Sequence, residues 1–165
     1  MRVLGIDASL RSTGYGVVES SGSRWVCLEA GLVRNPASRL HSECLAVLQR
    51  ELGAVIARTQ PQAAAIEGGF YFKNARTALV LGEARGVLIA TCAAAGLPVF
   101  EYAPRRVKQS LTGAGAAGKD QVAKMVCRVL GLTEPPPEDA ADALAIALCH
   151  LHGQTGVAAL QPKPI

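Results

Sequence analysis

Four carboxylates occupy positions in the sequence where chemistry could be assembled. Asp7 and Glu67 each close a short apolar segment that is typical of a buried strand. Asp139 and Asp142 are three residues apart, a spacing that places both on one face of a helix. If the two strands are neighbours, these acids form an oxygen-rich cluster of the kind that binds Mg²⁺ or Mn²⁺. We therefore predict a catalytic site for metal-dependent phosphodiester hydrolysis, with two cations, at the following residues: Asp7, Glu67, Asp139 and Asp142.

Each acid taken alone also has an ordinary structural explanation. Asp7 could form a hydrogen-bonded turn after its strand, and Glu67 could be a surface residue in a glycine turn. Glu138 and Asp139 could complement the positive end of a helix dipole. The occurrence of all four acids at the ends of elements favours the metal site over these separate explanations.

Positive charge is concentrated in the middle of the chain. Residues 70–128 contain nine basic side chains against three acidic ones, whereas residues 129–165 contain one basic and four acidic side chains. A basic patch is typical of a protein that binds a polyanion, although an arginine-rich solvated surface explains the charge equally well. Three consecutive aromatic residues, Phe70 to Phe72, are followed by Lys73 and Arg76 and could stack on unpaired bases. The alternative is that some of them point into the core.

Two other motifs are interpreted as structural. Gly113–Lys119 matches a phosphate-binding loop, but Asp120 stands where Ser or Thr would contact Mg²⁺, and the preceding segment has a helical pattern. We predict instead a basic loop that contacts phosphates of a polyanion through Lys119 and Lys124. The residues of Cys149–His152 do not share one helical face, which argues against a soft-metal site.

The composition indicates a folded protein of one domain. The chain has 165 residues, of which 50% are hydrophobic and 18% are charged. Its five cysteines are odd in number and form no CxxC pair, which favours a reduced, cytoplasmic protein. No signal peptide and no membrane span of about 20 apolar residues is expected. We predict a domain over residues 1–153 and a C-terminal tail over 154–165.

The periodicity of apolar residues predicts the elements that position the acids. Three strands with tight turns suggest an antiparallel meander, and a helix is expected from Asn35-Pro36 to about Arg58. The helix over 74–95 is apolar on nearly all sides, so it must be buried in the core or against a second subunit. The order of elements predicts an α/β fold, a mixed five-stranded sheet with helices on both faces. The predicted strands cover 2–7, 13–18, 24–33, 63–67 and 97–102, and the later helices 104–111, 120–130 and 137–152.

Five sequence blocks, in register over roughly residues 2–152, resemble the RuvC family of Holliday-junction resolvases. They are Leu4-Gly5-Ile6-Asp7 with Leu10 to Val17, Ala65-Ile66-Glu67 with Phe70 and Lys73 to Ala75, Leu81 to Val87, Pro98 to Pro104 with Val107-Lys108-Gln109, and Asp139 to Ala145. Two departures are Ala8-Ser9, where the family usually has Pro-Gly, and Gly68-Gly69, where it usually has bulkier residues.

The resemblance implies a ribonuclease H-like fold and a crossover junction endodeoxyribonuclease of recombination and DNA repair. It implies a homodimer that cuts two symmetry-related strands of a four-way DNA junction, in the bacterial cytoplasm, with RuvA and RuvB as partners. A junction-binding protein without catalysis, and a fragment of an actin-like or sugar-kinase phosphotransferase, are the alternatives. The four acids would form the metal site, and the expected DNA contacts are Phe70, Tyr71, Lys73, Arg76, Arg105, Lys108, Lys119 and Lys124.

Overall fold

The computed structural model describes residues 1–22, 24–68, 74–154 and 163–165. Five strands form one sheet in the order β3-β2-β1-β4-β5. The strands are β1 (Arg2–Asp7), β2 (Ser12–Ser21), β3 (Arg24–Arg34), β4 (Ala63–Glu67) and β5 (Val99–Tyr102). The first three strands pair antiparallel, and β4 pairs parallel with both β1 and β5. The predicted meander and the predicted mixed sheet are both confirmed.

Five helices cover the two faces of this sheet, as predicted. They are α1 (His41–Thr59), α2 (Ala75–Ala94), α3 (Pro104–Thr112), α4 (Lys119–Leu130) and α5 (Glu138–Gln154). Buried side chains of α1 and α2 form a core with one face of the sheet, and those of α3, α4 and α5 form a second core with the other. The helix α5 ends one residue beyond the predicted end of the domain. That boundary stays a prediction, because 155–162 lie outside the described residues.

The predicted start of the first helix is wrong by several residues. The proline of Asn35-Pro36 suggests a helix start, but α1 begins at His41. The reason is the buried side chain of Asn35, which donates to the carbonyl of Leu10 at 2.8 Å and to that of Cys44 at 3.3 Å. This amide links the turn after β1 to the first turn of α1, so the segment before the helix forms a loop.

The helix α5 lies directly on the backbone of β1 and β2. A Cβ atom built at Gly5 would be 1.9 Å from the carbonyl oxygen of Ala143, and one built at Gly14 would be 1.9 Å from that of Asp139. At Gly16, which pairs with Gly5 across the two strands, a Cβ would be 2.6 Å from the side chain of Leu144. We call these three residues the glycine seam, since their missing side chains let the helix approach the sheet.

The helix α2, all of which the structure describes, is apolar but poorly covered. Only Ala84, Leu88 and Cys92 are buried, and Leu79 is 63% exposed. By length and composition alone α2 could cross a membrane, and 17% of its apolar window is buried within the chain. One face of α2 packs in the core of the chain. Of the two predicted ways of covering the rest of this helix, burial within the core of the same chain is wrong.

Candidate active site

Neighbouring strands bring the first two predicted acids together. The register of the parallel pair matches Ile6 with Ile66, so Asp7 and Glu67 follow at the same edge of the sheet. The side chain of Asp142 reaches this edge from α5, and the three acids line one cavity of about 250 Å³. Lys108 of α3 and Lys119 of α4 line the same cavity. The structure therefore places three of the four predicted acids and two predicted DNA-contacting lysines around one space.

The acids repel one another in a partly desolvated site. Burial first, and then the negative charges of Asp142, Glu67 and Asp139, together raise the pKa of Asp7 to about 7, against the lowering effect of Lys119. Burial also raises the pKa of Glu67 and that of Asp142 above their ordinary values. A cluster of this kind gains stability from any cation that enters it.

Lys119 supplies part of the positive charge that stabilises this acidic cluster. Its Nζ atom is 2.5 Å from Oε1 of Glu138 and 3.4 Å from Oδ2 of Asp142. The hydrogen bond to Glu138 is the main reason that the pKa of Lys119 lies above its ordinary value. The same contact lowers the pKa of Glu138, which is exposed. The ammonium group thus lies between a surface acid and a site acid, at the mouth of the cavity.

Asp139 lies beside the cavity and has a different partner. Its carboxylate Oδ2 accepts a hydrogen bond from the hydroxyl of Ser12, at the start of β2. Gly14, a residue of the glycine seam two positions further along β2, lies against the backbone of Asp139. The charge of Asp139 raises the pKa of Asp7, so the fourth predicted acid belongs to the same electrostatic cluster.

The donor set fits a hard divalent cation. The four acids offer only carboxylate oxygen, which is the ligand type that Mg²⁺ and Mn²⁺ prefer. The pKa values of Asp7, Glu67 and Asp142 are raised first by burial and then by neighbouring acids, so a bound cation would stabilise their charged forms. Within the described ranges, no three acidic, histidine or cysteine side chains already converge on one metal position.

The remaining predicted DNA contacts are distributed around this end of the sheet. Arg76 lies in the first turn of α2 and lines a separate cavity of about 600 Å³ with Arg11 and His41. Arg105 and Lys124 are exposed on α3 and α4, and Lys124 lies five residues after Lys119, about 140° further round the helix. Three predicted contacts lie outside the described residues and stay predictions: Phe70, Tyr71 and Lys73.

The two rejected motifs have structural roles. Gly113 ends α3 with a φ of 77° and Gly118 caps α4, so the glycine loop joins two helices and does not follow a strand. His150 is fully buried, where its Nδ1 is 2.8 Å from the hydroxyl of Tyr102. The ring of His152 packs edge-on against Trp25 at 4.6 Å between centroids.

Sequence reasoning missed two residues of the site, Ser12 and Glu138. Glu138 directly precedes Asp139, so its place in the first turn of α5 was a usable signal, but its ion pair with Lys119 depends on how two helices pack. Ser12 is 127 residues from Asp139 and carries no sequence signal for that contact.

Comparison with known proteins identifies the family. The sequence model described as "Crossover junction endodeoxyribonuclease RuvC" matches residues 3–150. A protein of that name from Caldicellulosiruptor saccharolyticus is 47% identical over 159 residues, covering 95% of this chain and 96% of the relative. Another from Alkalilimnicola ehrlichii is 51% identical over 151 residues, covering 92% of this chain and 91% of the relative.

Solved structures agree with the sequence comparison. The Thermus thermophilus RuvC structure superposes with a TM-score of 0.88 at 36% identity, and both chains are covered completely. The same protein in complex with a Holliday junction substrate gives a TM-score of 0.89 at 33% identity, again with complete coverage. The yeast mitochondrial Holliday junction resolvase Ydc2, at 13% identity and a TM-score of 0.65, shares the fold. The chain therefore has the predicted ribonuclease H-like fold and belongs to the RuvC family of crossover junction endodeoxyribonucleases.

Proposed function

We propose that this protein resolves four-way DNA junctions by metal-dependent hydrolysis of two symmetry-related strands. The observation that carries the proposal is one cavity whose lining contains three acids and two lysines: Asp7, Glu67, Asp142, Lys108 and Lys119. Acids that can hold cations and amines that can attract phosphate are both needed to cleave a polyanion. Family membership supports the choice of a DNA junction as substrate.

Nucleases of this family are metal-dependent, and we propose that Mg²⁺ or Mn²⁺ is the metal, with two ions per site. The side chains that would hold the ions are Asp7, Glu67, Asp139 and Asp142. Two bound cations would stabilise the attacking and leaving oxygens of the phosphodiester. Because burial and neighbouring acids raise the pKa of Asp7 to about 7, protons compete with a cation for its carboxylate near neutral pH, and cation binding there should strengthen as the pH rises through about 7.

The basic side chains supply the electrostatic attraction for the DNA backbone. Lys108 and Lys119 line the cavity itself, and Arg105 and Lys124 extend the positive surface along α3 and α4. Lys119 has to exchange its carboxylate partners for a phosphate when DNA binds, and both partners are at the cavity mouth. Arg76 and the aromatic segment around Phe70 are proposed to contact the junction centre.

A homodimer would cover the exposed apolar surface of α2. Most of this helix is uncovered within one chain, and Leu79 is 63% exposed. Contiguous apolar surface of this kind marks an interface in a protein that functions in water. A dimer with twofold symmetry also suits a junction with approximate twofold symmetry, because each active site then meets an equivalent strand. We propose that RuvA and RuvB act with this dimer in the cytoplasm, on the support of family membership.

The test is cleavage of a synthetic four-way junction beside a linear duplex of equal length, with Mg²⁺, Mn²⁺ or EDTA. We expect paired symmetric nicks in the junction alone, and no cleavage in EDTA. The variant Asp7→Asn, which keeps the shape of the side chain, should bind the junction and not cut it. Tight binding without cleavage by the unmodified protein under either metal would favour a junction-binding role. Absence of junction binding would overturn the assignment.

A further inference from the structure

The starting observation is that the two acids of α5 are held in different ways. Asp142 is 3.4 Å from the ammonium group of Lys119. Asp139 has no ion pair within the described residues, and the hydrogen bond to its carboxylate comes from the neutral hydroxyl of Ser12. A hydroxyl can fix the orientation of a carboxylate without cancelling its charge.

Two residues on one face of β2 hold Asp139. Ser12 and Gly14 are separated by one residue, so their side-chain positions lie on the same face of the strand. The backbone of Asp139 lies against Gly14, where no Cβ could be accommodated, and its side chain is bonded to Ser12. The contact leaves Oδ1 of Asp139 without a hydrogen bond in the described part of the chain.

We infer that Ser12 is a positioning residue that orients Asp139 for cation binding through Oδ1. Without the hydroxyl, the carboxylate can rotate about the Cβ–Cγ bond and must be reordered each time a cation binds. Hydrogen-bonding partners of metal ligands typically change metal affinity or activity by 10–100-fold when they are removed. The inference rests on the proposed function, since it takes Asp139 to be a metal ligand.

The test compares Ser12→Val with Ser12→Thr. These two side chains have nearly the same shape and both suit a strand, but only threonine keeps the hydroxyl. We expect Ser12→Thr to match the unmodified protein and Ser12→Val to bind Mn²⁺ about tenfold more weakly. Binding is measured with the protein alone, from the electron paramagnetic resonance signal of free Mn²⁺, and again as the Mn²⁺ concentration that gives half-maximal junction cleavage. Junction affinity in EDTA and the melting temperature should be the same for both variants.

A double-mutant cycle separates this inference from the proposed site. In the Asp139→Asn background, exchanging Thr for Val at position 12 should have no further effect on Mn²⁺ binding. If Asp139→Asn binds Mn²⁺ and cleaves DNA like the unmodified protein, the ligand assignment itself fails. If Asp139→Asn is defective but Ser12→Val and Ser12→Thr are equal in both measurements, only the role of Ser12 is refuted. Should Ser12→Val melt at a lower temperature, Ser12→Ala replaces it as the variant without a hydroxyl.

Discussion

Substituting alanine for Gly14 tests whether the close packing of α5 on the sheet sets the geometry of the active site. The added Cβ would be 1.9 Å from the carbonyl oxygen of Asp139, whereas ordinary contact begins at 3.4 Å. The obstacle is backbone, so it cannot rotate away, and the first turn of α5 has to move by about 1.5 Å. Overpacking of this kind costs about 1–3 kcal/mol of folding free energy. A shift of about 1 Å in a catalytic group can cost about 100-fold in rate.

We therefore expect Gly14→Ala to fold with a lower free energy of unfolding and to cleave junctions at least about 100-fold more slowly. Urea denaturation followed by circular dichroism measures the first effect, and single-turnover cleavage with saturating Mn²⁺ measures the second. Gly16→Ala should be milder, because its new Cβ meets the side chain of Leu144, which can change rotamer. Gly53→Ala in α1 is the control, since its Cβ would contact another atom only at 4.0 Å.

The three alanine variants should fall in a fixed order of stability and activity, with Gly53→Ala highest and Gly14→Ala lowest. Gly53→Ala should stabilise the protein by up to about 1 kcal/mol, because alanine favours a helix more than glycine does. If Gly14→Ala were as stable and as active as the Gly53→Ala control, α5 would not lie against the backbone of β2 in solution. If Gly14→Ala lost stability but kept full activity, the packing would be structural only.

Three further predictions concern charge and assembly. In metal-free protein the pKa of Asp7 is about 7 against an ordinary 3.8, so ionisation of this carboxyl destabilises the fold as the pH rises through this range. Asp7→Asn should therefore raise the melting temperature at pH 8 but not at pH 3. Equal shifts of the melting temperature at both pH values would exclude a charge effect. Lys119→Ala should weaken junction binding and reduce the slope of log affinity against log salt by about 0.9, whereas the control Lys163→Ala in the tail should leave the slope unchanged. An unaltered slope for Lys119→Ala would show that this lysine does not contact a phosphate. Leu79→Glu should give a monomer in sedimentation equilibrium. The control is Leu40→Glu, which should leave the dimer intact although the side chain of Leu40 is similarly exposed, at 66%. A dimer that persists in Leu79→Glu would place the interface elsewhere.

The sequence was sufficient to predict that Asp7 and Glu67 end two neighbouring strands and that Asp139 and Asp142 share one face of a helix. Asp7 and Glu67 each end a short apolar strand, and parallel neighbours place such ends side by side, as the pairing of Ile6 with Ile66 confirms. The spacing of Asp139 and Asp142 determines their common helical face in the same local way. Both inferences depend only on repeat lengths of strands and helices.

The contacts that could not be predicted depend on packing between distant segments. The bond from Ser12 to Asp139 exists because Gly14 lets α5 approach β2, and no local pattern records that approach. The first helix begins later than predicted because the buried amide of Asn35 bonds two carbonyls, which outweighs the start signal of the next residue, Pro36. For α2, the apolar residues on nearly all sides indicated that other surfaces must cover the helix. The pattern could not show that the chain itself leaves much of the helix exposed.

The placement of the last helix also has a consequence for synthesis of the protein. A ribosome releases β1 and β4 long before α5, so a nascent chain carries Asp7 and Glu67 while Asp139 and Asp142 are still missing. Contacts between segments so far apart in sequence form late in folding. If the four acids form the proposed site, a nascent chain cannot assemble it before α5 has been synthesised, and a chain terminated before residue 138 would lack half of the proposed ligands.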